Sequence, residues 1–500
     1  MPQILLVDFM YLSFPLAMLG QNLWFQPSLL ATAEASPETT SLVLAAVLLS
    51  LVVIFLASKL GGEICARINL PPVLGELLAG VVVGVSALHL LVFPEGGETG
   101  SDSLIMALLQ VFTPLAPDAV TSIFQAESEV ISVLAELGVI ILLFEIGLES
   151  DLKELLKVGP QAMVVAVVGV VTPFVLGTGG LVLLFHAPVI PAVFAGAALT
   201  ATSIGITAKV LAEIQQLTSR EGQIIIGAAV LDDVLGVIVL AIVASLAREG
   251  QVEITNVLYL IVSAGVFLIG SIWLGRLLSP LFVAVVNELK TRGQVLISAL
   301  IVAFALAYIA DVIQLEAILG AFAAGLILAE TEKRHELETQ VIPIADMLVP
   351  IFFISVGAKT DVSVLNPFNP ANQEGLIIAG FLIAVAIVGK VVTGFTVFGQ
   401  AGINRLAIGI GMVPRGEVGL VFASVGGASG ALSKSLEAGI IVMVILTTFL
   451  APPFLRLAFQ QPDESVGGAI ADGDSELSPE AGPSKAAVTT APQDVNSEVS

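Results

Sequence analysis

The chain of 500 residues is expected to fold as an all-α polytopic membrane protein: thirteen transmembrane helices in two inverted repeats, with two discontinuous helices that cross. Three observations carry this. Hydrophobic residues make up 56% of the chain and charged residues only 12%, against about 25% charged in a soluble domain; mean hydropathy is +1.01. Apolar runs long enough for a hydrocarbon core of about 30 Å recur along the whole length. Two of those runs are interrupted by polar, Gly or Pro residues at corresponding places. The composition also excludes function classes. With 42 Asp+Glu against 19 Lys+Arg and a net charge of -23, no basic surface is on offer to nucleic acid. A single cysteine, Cys65, leaves neither an intrachain disulfide nor a cysteine metal cluster, and three His residues suit zinc or haem poorly. No cofactor is expected.

In chain order, residues 1–41 form an N-terminal extension. Its apolar stretch 3–20 has no Lys or Arg before it, so it lacks the start of a secretory signal; it reads as an interfacial or additional segment. The spans are 42–60, 72–93, 130–149, 161–184, 188–213, 223–247, 255–275, 294–311, 316–330, 342–357, 375–398, 404–429 and 436–458. Together, 42–458 make the transmembrane domain. The loop 94–128 holds Glu95, Glu98, Asp102 and Asp118 with no basic residue, and 104–112 within it suits a short amphipathic helix. Residues 461–500 are rich in Ser, Pro, Gly and acid and read as a disordered tail without a nucleotide-binding pattern.

Lys and Arg concentrate on the cytoplasmic side of membrane proteins. With the N-terminus outside and the spans alternating, only Arg248, Lys359 and Lys434 fall outside; Lys390 and Arg415 lie within spans, and the rest of the 19 are cytoplasmic. Thirteen spans thus put the C-terminus, Cys65 and the loop 280–293 in the cytoplasm and the loop 94–128 outside. A repeat supports the count. Leu74-Gly75-Glu76-Leu77-Leu78-Ala79-Gly80 in the second span matches Leu319-Gly320-Ala321-Phe322-Ala323-Ala324-Gly325 in the ninth. Gly147 precedes Asp151 at the end of the third span as Gly357 precedes Asp361 at the end of the tenth. Both pairs lie seven spans apart, an odd number, so the halves are inverted.

Charges near the bilayer centre cost at least about 2.5–3.5 kcal/mol each on insertion scales and mark function by default. Asp232 and Asp233 stand mid-span in Val230-Leu231-Asp232-Asp233-Val234. Helical neighbours point about 100° apart, so one carboxylate can line a cavity while the other pairs internally; a pair that serves packing alone is the bland alternative. Lys390 lies too deep in its span to snorkel easily and needs an anion, Asp232 or Asp233, or else a carbonyl. The fifth span carries Thr200-Ala201-Thr202-Ser203-Ile204-Gly205-Ile206-Thr207, and its repeat mate, the twelfth, carries Val413-Pro414-Arg415-Gly416-Glu417. Broken helices in corresponding positions of two halves point to a transport site. Arg415 and Glu417 would neutralise the half-helix ends or each other. Glu76, Glu149 and Glu316 read as pathway or interface residues. Glu136 and Glu145, nine residues apart, do not form one site.

Leu70-Pro71-Pro72-Val73-Leu74-Gly75-Glu76, Thr202-Ser203-Ile204-Gly205-Ile206-Thr207, Leu231-Asp232-Asp233, Gly389-Lys390 and Val413-Pro414-Arg415-Gly416-Glu417-Val418-Gly419 resemble the cation:proton antiporter-2 family, over about 42–458. Within it the chain is similar to cyanobacterial sodium/proton antiporters. The resemblance implies the thirteen-helix NapA type of fold. Core helices, about 161–247 and 375–458, would move against dimerisation helices, about 42–149 and 294–357, in a homodimer. It implies that Asp233 is the main cation ligand and proton carrier, that Asp232 pairs with Lys390, and that Thr202 and Ser203 donate further oxygens. The expected activity is exchange of a monovalent cation, Na+ or its surrogate Li+, for H+ by alternating access. A K+/H+ antiporter, a passive cation channel and a scaffold that recruits partners through the tail are the rivals. The partners are small cations, protons and membrane lipid, and the setting is a cell inner membrane or a thylakoid membrane.

Overall fold

The computed structural model describes residues 37–94, 97–113, 115–249, 254–397 and 402–460. The stretch 3–20 and the tail 461–500 lie outside the described residues. Among those described, the chain is helical without a strand: α1 Pro37–Arg67, α2 Pro72–Val83, α3 Leu104–Phe112, α4 Pro117–Glu149, α5 Leu152–Leu184, α6 Val189–Ala198, α7 Ile204–Glu213, α8 Arg220–Glu249, α9 Ile254–Glu288, α10 Gln294–Val312, α11 Ala317–Ala329, α12 Arg334–Ala358, α13 Pro370–Gly394, α14 Arg405–Gly411, α15 Glu417–Ala428 and α16 Lys434–Gln460. Nine of them (α1, α4, α5, α8, α9, α10, α12, α13 and α16) are long and apolar enough to cross a membrane. The remaining predicted spans fall on short helices: 72–93 on α2, 316–330 on α11, 188–213 on the pair α6 and α7, and 404–429 on the pair α14 and α15. An exposed apolar stripe is clearest on α1, where Leu44, Leu48, Val52, Leu56, Leu60 and Ile64 are all exposed. A four-residue spacing keeps them on one side of the helix.

Glycines set the closest helix contacts. A Cβ on Gly80 would lie 2.9 Å from the Cα of Gly357, and one on Gly147 would lie 3.0 Å from the Cα of Gly325. Under the repeat, Gly80 corresponds to Gly325 and Gly357 to Gly147, so the α2–α12 and α4–α11 crossings are the same contact made twice. Only glycine lets backbones approach this closely. One apolar core runs through α1, α2, α4 and α10–α12 and reaches α7 and α8; a second joins the end of α5 with α6, α13, α15 and α16.

Three boundaries differ from the sequence reading. The second span is helical only to Val83, because Gly84 is extended and its Cα packs against the backbone of Ala358, where no side chain fits. The helix α4 begins at Pro117, well inside the expected loop 94–128: Pro at its first turn is favourable, and Val120, Ile123 and Phe124 pack on Ile105 and Met106 of α3. The helix α9 runs on to Glu288 and takes in most of the expected loop 280–293; apolar residues continue past Arg276, and Val286 is fully buried. Cys65 sits inside the last turns of α1 at 4% exposure, so it is no handle for labelling.

Candidate ion-exchange site

The fifth and twelfth spans each stop being helical mid-way, at 199–203 and at 412–416, and the two breaks touch. The amide of Ser203 donates to the carbonyl of Pro414 at 2.9 Å. The Thr202 hydroxyl donates to Met412 O at 3.1 Å, and the Thr207 hydroxyl to Gly411 O at 3.0 Å. Thr448 of α16 donates to the carbonyl of Arg415 at 2.5 Å. Backbone groups released by a break must find partners where no water can supply them, and here each break satisfies part of the other. Gly416 is required at the contact: a Cβ there would press on Ser203, 2.8 Å from its Oγ.

The helix α8 passes this crossing and presents two carboxylates. Asp232 and Lys390 of α13 are both completely buried, and Lys390 Nζ donates to Asp232 Oδ2 at 2.9 Å. Gly169 of α5 leaves room for the ammonium, since a Cβ there would sit 3.2 Å from Nζ. Arg415, also wholly buried, donates through Nη1 to the carbonyl of Ala201 and acts electrostatically on Asp232. It therefore places positive charge beside the C-terminal end of α6, where the helix dipole is negative. The side chain of Glu417 is outside what is described.

Asp233, 3% exposed, faces a different way. It lines a small pocket of about 10 Å³ with Thr202, Ser203, Ile318 and Gly416. That volume is about the room of one water-sized particle. Ser203 is the N-cap residue of α7, yet its side chain makes no capping bond and its Oγ has no partner among the described residues. A carboxylate and a spare hydroxyl on one small space form an oxygen donor set of the kind hard cations take. The arrangement separates the two acids: Asp232 is occupied by Lys390, while Asp233 is turned to the space.

Two contributors escaped the sequence reading as site residues. Thr207 belongs to the polar run of the fifth span, but nothing in the spacing tied it to Gly411. Thr448 is legible only through the repeat: Thr447 beside it stands as deep in α16 as Asp233 does in α8. Near the far end of α7 from the crossing, Lys209 acts electrostatically on Glu76 of α2, Glu145 and Glu149 of α4 and its own neighbour Glu213. Glu76 also accepts from Ser58 at 2.8 Å. Glu136 lies elsewhere, on a cavity that also borders Glu316.

Known proteins share this sequence and fold. The model of the family described as "Sodium/hydrogen exchanger, transmembrane" matches residues 46–460. The chain is 68% identical over 438 residues to the "High-affinity Na(+)/H(+) antiporter NhaS3" of Synechocystis, covering 88% of this chain and 95% of that protein. It is 33% identical over 418 residues to the "Na(+)/H(+)-K(+) antiporter GerN" of Bacillus cereus, covering 83% and 96%. Among solved structures, the sodium proton antiporter MjNhaP1 of Methanocaldococcus jannaschii superposes with a TM-score of 0.56 at 14% identity, over 84% of this chain and 99% of that one, which is a likeness of fold. The residues that carry the crossing and its buried charges all fall within the matched span, and the chain belongs to the sodium/hydrogen exchanger family of transmembrane proteins.

Proposed function

We propose that the protein is a secondary active antiporter that exchanges Na+, with Li+ as a surrogate, for H+. One observation carries the reading. Asp233 lines a pocket of about 10 Å³ at the contact of two broken helices, apart from the paired Asp232 and Lys390. Ionised Asp233, with oxygens from Ser203 and Thr202, holds a dehydrated cation. A proton on the same carboxylate cancels the charge and occupies a ligand oxygen, so cation and proton exclude each other. Loads taken by one group in turn are exchanged rather than co-transported.

Transport follows when the helices around the crossing, about 161–247 and 375–458, shift against those of 42–149 and 294–357, which pair two copies of the chain. Arg415 and Glu417 hold the half-helix ends, and no further cofactor takes part. The thirteen spans orient the chain with its C-terminus in the cytoplasm. The names of the relatives support Na+, and GerN's adds K+. A passive channel is disfavoured by the small volume of the pocket and by the buried ion pair beside it, since conduction needs a continuous route. The test uses purified protein in sealed proteoliposomes. An imposed pH gradient should drive Na+ and Li+ uphill and K+ far less; Na+ movement only down its own gradient would defeat the reading.

A further inference from the structure

On the side of the loop 94–128, a second and much larger cavity, about 480 Å³, opens between the helices. Its walls are mostly apolar, but four ionisable side chains line it: Glu136 of α4, Asp311 of α10, Glu316 at the start of α11, and Lys359 just past the end of α12. Three acids against one base leave an excess of negative charge, and low-dielectric walls focus that field on the cavity. A cluster of acids alone would say little. One turn before Lys359, however, Ser355 also lines the cavity. It is only 3% exposed, and its hydroxyl has no hydrogen-bond partner among the described residues. A buried hydroxyl without a protein partner is costly unless something in the cavity takes it up. The cavity also leads somewhere: Ile318 and Gly416 line both it and the Asp233 pocket.

We infer that this cavity is a second cation site, a vestibule where a monovalent cation is held still hydrated by Glu136, Glu316 and Ser355 before it passes Ile318 and loses its water at Asp233. The inference rests on the antiport reading above. The two volumes divide the work. The vestibule has space for an ion with its waters, and the inner pocket has space for one particle. Lys359 gives the vestibule a built-in competitor. Its Nζ lies 4.7 Å from the ring centroid of Phe93, a cation–π contact that keeps the ammonium at the wall of the cavity beside the acids. The vestibule acts from one side only, because the cytoplasmic approach to Asp233 does not run through it.

The experiment measures initial 22Na+ uptake by the full-length protein in sealed vesicles of both orientations, so that Na+ meets either face. Glu136→Gln and Glu316→Gln should each raise the apparent KM for Na+ at the face of the 94–128 loop about fivefold. Ser355→Ala should raise it about twofold, and Lys359→Gln should lower it about twofold. For every variant, the KM at the opposite face should move less than 1.5-fold. Should the acid variants fail to fold, Ser355→Ala and Lys359→Gln carry the test through their opposite signs. Equal shifts at both faces, or no shift at the loop face, overturn the vestibule. A wild type with proton-driven Na+ flux but insensitive variants removes the vestibule alone; a wild type without that flux removes the antiport reading with it.

Discussion

At the scale of single residues, the adjacent acids of α8 have unlike surroundings and should respond to substitution in unlike ways. Asp233 faces the small pocket, and Asn in its place keeps the shape but cannot cycle a proton. Asp233→Asn is expected to abolish proton-coupled Na+ flux while the purified protein still inserts and elutes as the wild type does; near-normal flux would move the site elsewhere. Asp232 is bound to Lys390 at 2.9 Å with both side chains fully buried. Removing one partner of a buried pair strands the other and costs about 3–5 kcal/mol. Lys390→Ala alone should therefore lower thermal stability strongly. Asp232→Asn together with Lys390→Gln should recover much of it, with a coupling of about 0.5–3 kcal/mol in the double-mutant cycle. Additive losses would show that the contact stabilises nothing.

At the scale of helices, packing depends on a few glycines that the repeat duplicates. A side chain on Gly325 would strike the carbonyl of Phe144 and crowd Gly147, and one on Gly80 would strike the carbonyl of Ile354 and crowd Gly357. Gly80→Val and Gly325→Val should each destabilise by at least about 1–3 kcal/mol, the usual cost of overpacking, and by similar amounts. Gly380→Ala, with nothing within 4 Å of the added carbon, should be neutral or slightly stabilising, since alanine favours helix. Thermal unfolding of the three proteins in one detergent decides it; a Gly325→Val protein as stable as the Gly380→Ala protein would contradict the crossing. The same glycines were legible in the sequence, as were the two breaks, because each shows as a local departure from an apolar run. What the sequence hides is where an apolar run ceases to be helix. Gly84 is one of many glycines in the apolar runs, and what makes it the stop after Val83 is the backbone of Ala358 some 270 residues away. The start of α4 at Pro117 was masked by acids that read as loop, and the burial of its apolar face depends on α3. Likewise the sequence paired neither Thr207 nor Thr448 with a carbonyl: the partner of Thr207 belongs to the other repeat, and that of Thr448 lies 33 residues away in a break whose course no local pattern shows.

At the scale of the whole molecule, the alternating-access reading requires a state open on the side of the 94–128 loop and shut on the other; the cavity on the loop side supplies the opening. The closed side has an identifiable fastening. At the end of α7, Glu213 accepts from the backbone amide of Val73, in the first turn of α2, at 3.2 Å. The carboxylate thus spans from a helix of the crossing to the set that holds α1 and α2, and it sits where a helix dipole favours negative charge. A hydrogen bond to a charged group contributes about 1.5–3 kcal/mol. Losing it should ease opening on this side by about tenfold in population, 1.4 kcal/mol being one decade. Gly205 reports that opening. A Cβ there would lie 3.5 Å from Val139 and 3.7 Å from Phe352, so a cysteine fits and is covered when the interface is closed. With Cys65→Ala as background, a membrane-impermeant maleimide applied from the side of Cys65 should label Gly205→Cys slowly. Adding Glu213→Ala should speed that labelling about tenfold, and adding Glu213→Gln should speed it by less, because the amide still accepts from Val73. Labelling at one rate in all three proteins would mean that Glu213 caps α2 without holding the two helix sets together, and that the closed side is kept shut by apolar packing alone.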